Sequence, residues 1–146
     1  MSQPFVVTFI WEVALRVMWD PARMKFISTP TAPKPVAAYS QAIEANGFIF
    51  CSGQVGIDPA LGKLADGLTA QAQQVFRNLS HVLEAAGSRF DKVVKVSIFL
   101  TDLQHFAEVN AIYEGFVGSH RPARTTVGCG ALPLGALIEV DVIATK

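Results

Sequence analysis

A chain of 146 residues fits one domain and is long enough to bury one hydrophobic core. Its twelve basic and twelve acidic side chains cancel and form no runs, so nothing resembles a phosphate-tracking stripe and nucleic acid is not the expected partner. Charged residues make up only 16% against 51% hydrophobic, with mean hydropathy +0.35, which predicts an apolar appendage together with surface buried in an oligomer.

The first 23 residues stand apart. From Phe5 to Trp19 only Thr8, Glu12 and Arg16 interrupt an apolar run, and they recur every fourth residue, which predicts a short amphipathic helix. The run is too short for a membrane span and lacks the basic leading segment of a secretory signal. Arg16 and Arg23 hint at an organellar presequence, but Glu12 and Asp20 oppose one. Residues 1–23 are therefore read as an amino-terminal extension and residues 24–146 as a single domain.

From Met24 to Thr29 a short strand is expected, followed by an extended stretch set by Pro30, Pro33 and Pro35. Two strands, Tyr39 to Ala45 and Phe48 to Ser52, flank Asn46-Gly47, a strong hairpin signal. Gly53 to Gly67 reads as a loop. Leu68, Ala72, Val75, Phe76, Leu79, Val82, Leu83 and Ala86 then follow helical spacing, and Gly87 is placed to end that helix. His81 falls on its polar side.

Val93 to Leu100 reads as a strand with Val94, Val96, Ile98 and Leu100 on one face and Lys95 and Ser97 on the other. Asp102 is placed to cap a second helix with the apolar stripe Leu103, Phe106, Val109, Ile112 and Phe116, closed by Gly118. Two last strands, around Arg121 to Val127 and Leu137 to Ala144, are separated by a Leu132-Pro133-Leu134-Gly135 connector, for which a hairpin is the simplest reading. With an even-length loop Arg124 would oppose Ile143, Glu139 would oppose Gly128, and Arg124 and Glu139 would share a face; an odd loop or a bulge would separate them. The element order predicts an α+β two-layer domain with both helices on one sheet face, the other face being covered by another subunit.

Cys51 and Cys129 sit in apolar strand-like segments, where free thiols behave as small hydrophobes, and suit a reduced, cytoplasmic setting. Neither they nor His81, His105 and His120 have metal-ligand spacing, so no metal is expected. Ser40 and Ser52 lack an evident histidine and acid, and no glycine-rich phosphate loop opens a helix. Among charged groups in the strands, Arg124 has the planar fork that pairs both oxygens of a carboxylate, or equally serves an ordinary ion pair. Glu139 suits proton transfer, with Asp141 its rival on the same face.

Tyr39-Ser40-Gln41-Ala42, Cys51-Ser52-Gly53-Gln54-Val55, Leu83-Glu84-Ala85-Ala86-Gly87, Val109-Asn110-Ala111-Ile112-Tyr113, Pro122-Ala123-Arg124-Thr125 and Leu132-Pro133 with Ile138-Glu139-Val140 follow one another in register. Over residues 24–146 this pattern resembles the reactive-intermediate deaminase family, RidA or YjgF. The resemblance implies a chorismate-mutase-like fold of a mixed sheet with two helices on one face, assembled as a homotrimer with clefts between subunits. It implies hydrolysis of 2-imino and enamine acids, such as 2-aminoacrylate or 2-iminobutanoate, to 2-keto acids and ammonia, with no cofactor.

The same resemblance assigns Arg124 to the substrate carboxylate, Glu139 to water and proton handling, and Tyr39 to the cleft wall. Ser52 and Gly53 become substrate contacts, although turn chemistry explains them nearly as well. Thr126, on the strand face of Arg124, becomes a contact to substrate or water, and Asn110 a support for the cleft or a solvated helix residue. Where the family commonly has Gly-Pro-Tyr, this chain has Ala37-Ala38-Tyr39, which changes what the loop backbone adopts before Tyr39. Two other classes of function remain open: a non-catalytic trimer that binds small carboxylates, and an RNA-acting role that the neutral charge balance disfavours.

Overall fold

The computed structural model describes residues 24–146, so the helix expected between Phe5 and Trp19 lies outside the described residues. Ten regular elements follow in order: β1 (Lys25–Ile27), β2 (Ala42–Ala45), β3 (Phe48–Val55), β4 (Ile57–Asp58), β5 (Lys63–Leu64), α1 (Gly67–Ala85), β6 (Val93–Leu100), α2 (Phe106–Val117), β7 (Ala123–Gly128) and β8 (Ile138–Thr145). Six strands form one mixed sheet in the order β1-β2-β3-β8-β6-β7, and β4 and β5 form a small separate ribbon. Both helices pack on one face of the large sheet, which is the expected α+β arrangement.

Local chemistry explains most element boundaries. Asn46 and Gly47 both take left-handed backbone angles, φ 51° and 79°, and join β2 to β3 in the tight hairpin that Asn-Gly favours. Gly87 ends α1 with φ 79° while its N–H donates to Glu84 and that of Ser88 to the Leu83 carbonyl, a paired C-terminal closure that only glycine adopts without strain. Asp102 caps a 3₁₀ turn at 103–105 by accepting from the Gln104 N–H at 2.8 Å, and α2 continues from that turn.

The core lies between helices and sheet. Phe76 of α1 is fully buried and packs against Phe90, Tyr113 and Phe116 with ring centroids 5.3–6.3 Å apart. Buried Gln41 fastens the proline-rich stretch: its amide nitrogen donates to the carbonyls of Thr29, Ala32 and Pro33, and its oxygen accepts from the Thr29 N–H. That side chain supplies the hydrogen bonds that an extended proline segment cannot find in a sheet. His81 is likewise tied to this stretch, with Nδ1 2.7 Å from the Thr31 carbonyl oxygen, rather than simply solvated.

Several expectations are corrected. β7 and β8 are not a hairpin. β7 runs parallel to β6, with Val96 beside Arg124, and β8 lies antiparallel between β6 and β3. β6, α2 and β7 form a parallel crossover unit, and the connector carries the chain back over the sheet end to its centre. In β6 the register shifts between Val93 and Lys95, so buried Val93 takes the inward place and Val94 is exposed.

In α2 the buried positions are Val109, Tyr113 and Val117, with Ile112 and Phe116 packed beside them, while Leu103 and Phe106 are exposed. β2 begins at Ala42, since Gln41 is used to hold the proline stretch, and β3 runs on to Val55. The expected loop from Gly53 to Gly67 contains the β4–β5 ribbon.

Candidate active site

Two clusters of chemistry-bearing residues sit on opposite faces of the sheet. Register makes this unambiguous. Arg124, Val96 and Val142 form one cross-strand row, and Val127, Phe99 and Glu139 another. Neighbours across a sheet share a face, and residues three apart in one strand do not. Arg124 therefore belongs to the helix-covered face with buried Val96 and Val142, and Glu139 to the open face. The expectation that they share a face within one chain is overturned, because it rested on a hairpin that does not form.

The first cluster surrounds Glu139. β3 carries a bulge between Cys51 and Gln54 where it pairs with β8, which leaves Ser52 and Gly53 as the extra residues opposite Asp141. The bulge brings Gly53 against the Glu139 carboxyl so closely that a Cβ on residue 53 would overlap Oε1. Ser52 is fixed by its hydroxyl donating to the Ser40 carbonyl at 2.6 Å and its N–H donating to the Gln41 carbonyl at 3.0 Å.

Tyr39 follows a tight turn in which its N–H donates to the Ala37 carbonyl, so the Ala37-Ala38 approach still delivers it to the cluster. A cavity of 410 Å³ is lined by Tyr39, Ser52, Gly53, Pro133, Leu134 and Glu139, among others. Leu134, held at φ 60° in the 3₁₀ turn of the connector, is largely exposed on its rim. Partial burial raises the Glu139 carboxyl above its ordinary range, and the Asp141 charge on the same face adds to the shift. Asp141, the rival carboxylate, thus bears on Glu139 as a neighbouring negative charge.

The second cluster surrounds Arg124. Its Nη1 donates to Asn110 Oδ1 at 2.7 Å, and the Asn110 amide nitrogen donates to Glu114 Oε1 at 3.0 Å. The guanidinium carbon lies over the rings of Phe106 and Tyr113, 5.4 and 5.0 Å from their centroids. Among the described residues no carboxylate pairs with Arg124. A cavity of 320 Å³ opens here, lined by Asn110, Tyr113, Glu114, Arg121, Pro122 and Arg124. Burial raises the Tyr113 hydroxyl above its usual value, opposed by the charges of Arg124 and Arg121.

Thr126, two residues along β7, shares the Arg124 face, and its hydroxyl is buried with no hydrogen-bond partner, a costly state that a ligand or water atom relieves. The structure thus gathers Tyr39, Ser52, Gly53 and Glu139 in one place and Arg124, Asn110 and Thr126 in another. Phe106 and Tyr113 were not singled out as site residues by the sequence. Their signal was available, since 106, 110 and 113 recur at i, i+4 and i+7 on one helix face, but Phe106 reads equally as core.

An arginine fork without a partner carboxylate can hold one from a small ligand, and a carboxyl whose pKa is raised by burial holds a proton more readily than an ordinary one and can pass it on. Comparison with known proteins shows the family of the chain. Residues 29–146 match the family described as Endoribonuclease L-PSP. A RutC family protein of Aquifex aeolicus is 49% identical over 125 residues, which span 84% of this chain and all of that protein. The mouse protein named 2-iminobutanoate/2-iminopropanoate deaminase is 41% identical, spanning 84% of this chain and 91% of its own. The crystal structure of RidA from the Antarctic bacterium Psychrobacter superposes with a TM-score of 0.82 at 39% identity, covering 84% of this chain and 99% of that one.

Proposed function

Because the chain belongs to the YjgF/RidA family, described as Endoribonuclease L-PSP, we propose that it hydrolyses reactive 2-imino and enamine acids to 2-keto acids and ammonia. The observation that carries the reading is the half-buried Arg124, aimed at a cavity and free of any protein carboxylate among the described residues. The name of the mouse relative supports the same chemistry.

Arg124 holds the substrate carboxylate by paired charge-assisted hydrogen bonds. Glu139 orients a water whose oxygen bonds to C2, accepts its proton and delivers one to the imine nitrogen. Collapse of the resulting carbinolamine breaks the C–N bond, releases ammonia and leaves the C2 carbonyl. A raised carboxyl pKa suits both proton transfers. Tyr39, Ser52 and Gly53 shape the water and substrate side, and the unpartnered Thr126 hydroxyl offers a contact beside Arg124. The groups needed are all side chains of the protein, so the reaction as written uses no cofactor.

Arg124 and Glu139 stand on opposite faces of one sheet, so a single cleft using both draws Arg124 from one copy and Glu139 from another. A homotrimer with clefts between subunits meets that requirement, and the exposed apolar residues of the open sheet face favour such burial. The free thiols Cys51 and Cys129 suit a reducing compartment such as the cytoplasm.

The test is a coupled assay in which the protein is added to a threonine or serine dehydratase and release of 2-oxobutanoate or pyruvate is followed. Acceleration is expected from wild type, and Arg124→Ala should lower kcat/KM at least about a hundredfold. Unchanged acceleration in that variant removes Arg124 from the site. Ligand-dependent melting shifts with small carboxylates but no acceleration would instead favour a non-catalytic carboxylate-binding protein using the same pocket.

A further inference from the structure

We propose that Phe106 and Tyr113 are positioning residues that hold the Arg124 guanidinium so that one two-donor edge is presented to a ligand carboxylate, an inference that rests on the anchoring role given to Arg124. The geometry is specific. The guanidinium carbon lies over both rings, at 5.4 and 5.0 Å, which is within the range where a ring face attracts a cation. Asn110 takes the Nη1 donor at 2.7 Å. The Nε and Nη2 hydrogens make no hydrogen bond among the described residues, and they form the side-on pair that matches two carboxylate oxygens.

Three residues on one helix face therefore act on one guanidinium, two rings against its carbon and Asn110 on Nη1. Phe106, Asn110 and Tyr113 share a face of α2, and α2 is itself anchored by Tyr113 packing on Phe76 at 5.8 Å. Ring faces take no hydrogen bond from the free donors, and the Tyr113 hydroxyl makes none with Arg124 among the described residues, whereas a protein carboxylate at the same place would occupy them. The acid that lines the same cavity, Glu114, accepts from the Asn110 amide. An arginine on the edge strand β7 would otherwise lose several rotamers on binding a ligand, and holding it in advance removes that cost from affinity.

The experiment measures 2-oxobutanoate affinity by calorimetry, which is independent of turnover. Phe106 is about 42% exposed, so Phe106→Leu should fold as wild type does. That variant should weaken binding about three- to tenfold, with kcat in the coupled assay changed less than about twofold, since carboxylate anchoring is common to ground and transition states. Tyr113 is buried against Phe76, so the informative variant there is Tyr113→Phe, which keeps the ring and should bind as wild type does.

A spectroscopic signature separates positioning from general stability. The Arg124 Nε–H resonance, assigned by its loss in Arg124→Lys, should be displaced by ring currents in wild type and relax toward the ordinary arginine position in Phe106→Leu. Wild-type affinity in Phe106→Leu, or an Nε–H resonance that does not respond to it, overturns the proposal while leaving the anchoring role intact. A wild-type protein that binds no 2-oxobutanoate overturns both.

Discussion

At the scale of single residues the proposed site places a carboxyl, kept partly out of water, next to a position that has no side chain. The atom that a Cβ on residue 53 would strike is the far end of Glu139, which can swing away, so Gly53→Ala should fold normally and yet lose most activity. A melting temperature within about 2 °C of wild type, together with a kcat/KM reduced on the order of a hundredfold, is the expected pair of results. Glu139→Gln should lower kcat on the order of 10²–10⁴-fold but raise stability.

The sign of that stability change follows from the raised pKa of Glu139, caused first by burial and then by Asp141. The folded state binds its proton more tightly than the unfolded one, so protonation stabilises the fold below the unfolded pKa, and the gain is lost as pH rises through the folded pKa. Glutamine never carries the charge. Melting curves should coincide below about pH 4 and separate in favour of the glutamine variant at neutral pH. On the other side of the same strand pair, Cys51 is buried and its thiol is pushed up to about 12 by burial and then by Asp141, so in the native protein a thiol reagent should label the partly exposed Cys129 and spare Cys51.

At the scale of elements, backbone contact replaces side-chain adaptability. A Cβ on residue 56 would meet the α1 backbone at Gln71 Cα, 2.5 Å away, where the Gln71 amide oxygen also accepts from the Leu137 N–H at the entry to β8. Gly56→Ala should therefore push α1 from the sheet and cost about 1–3 kcal/mol, measured by urea unfolding with an unchanged m-value.

Such contacts also mark how far the sequence could be read. Asn46-Gly47, Gly87 and the periodicity of α1 are local signals, and local signals were legible. The partner of β7 was not. Its pairing with β6 is parallel and spans α2, so it leaves no turn signature, and the connector's Pro133 and Gly135 imitate one. The strand, helix, strand order between 93 and 128 was the available clue, since such a crossover returns a chain parallel to its start. β8 carried a clue as well: Ile138, Val140, Val142 and Ala144 give it one wholly apolar face, and all four are buried where it lies between β3 and β6. Both Arg124 and Glu139 were singled out by residue type and motif, but the face each occupies depended on pairing and was misjudged.

At the scale of the molecule, the separation of Arg124 from Glu139 becomes the organising fact. The open face exposes Phe26, Phe48, Phe50 and Val127 in a layer with no helix over it, apolar side chains that an interface between copies would bury. Light scattering should report three copies per particle, and Phe50→Glu should shift the particle toward monomer and abolish imine hydrolysis together. Complementation tests the division of labour directly. Arg124→Ala and Glu139→Gln are each expected to be inactive alone, but one supplies an intact Glu139 and the other an intact Arg124. If the cleft joins two copies, unfolding and refolding an equal mixture should restore roughly a quarter of wild-type activity, because each mixed trimer regains one complete cleft. If both residues served one site within a chain, every chain in the mixture would still lack one of them and no activity would return.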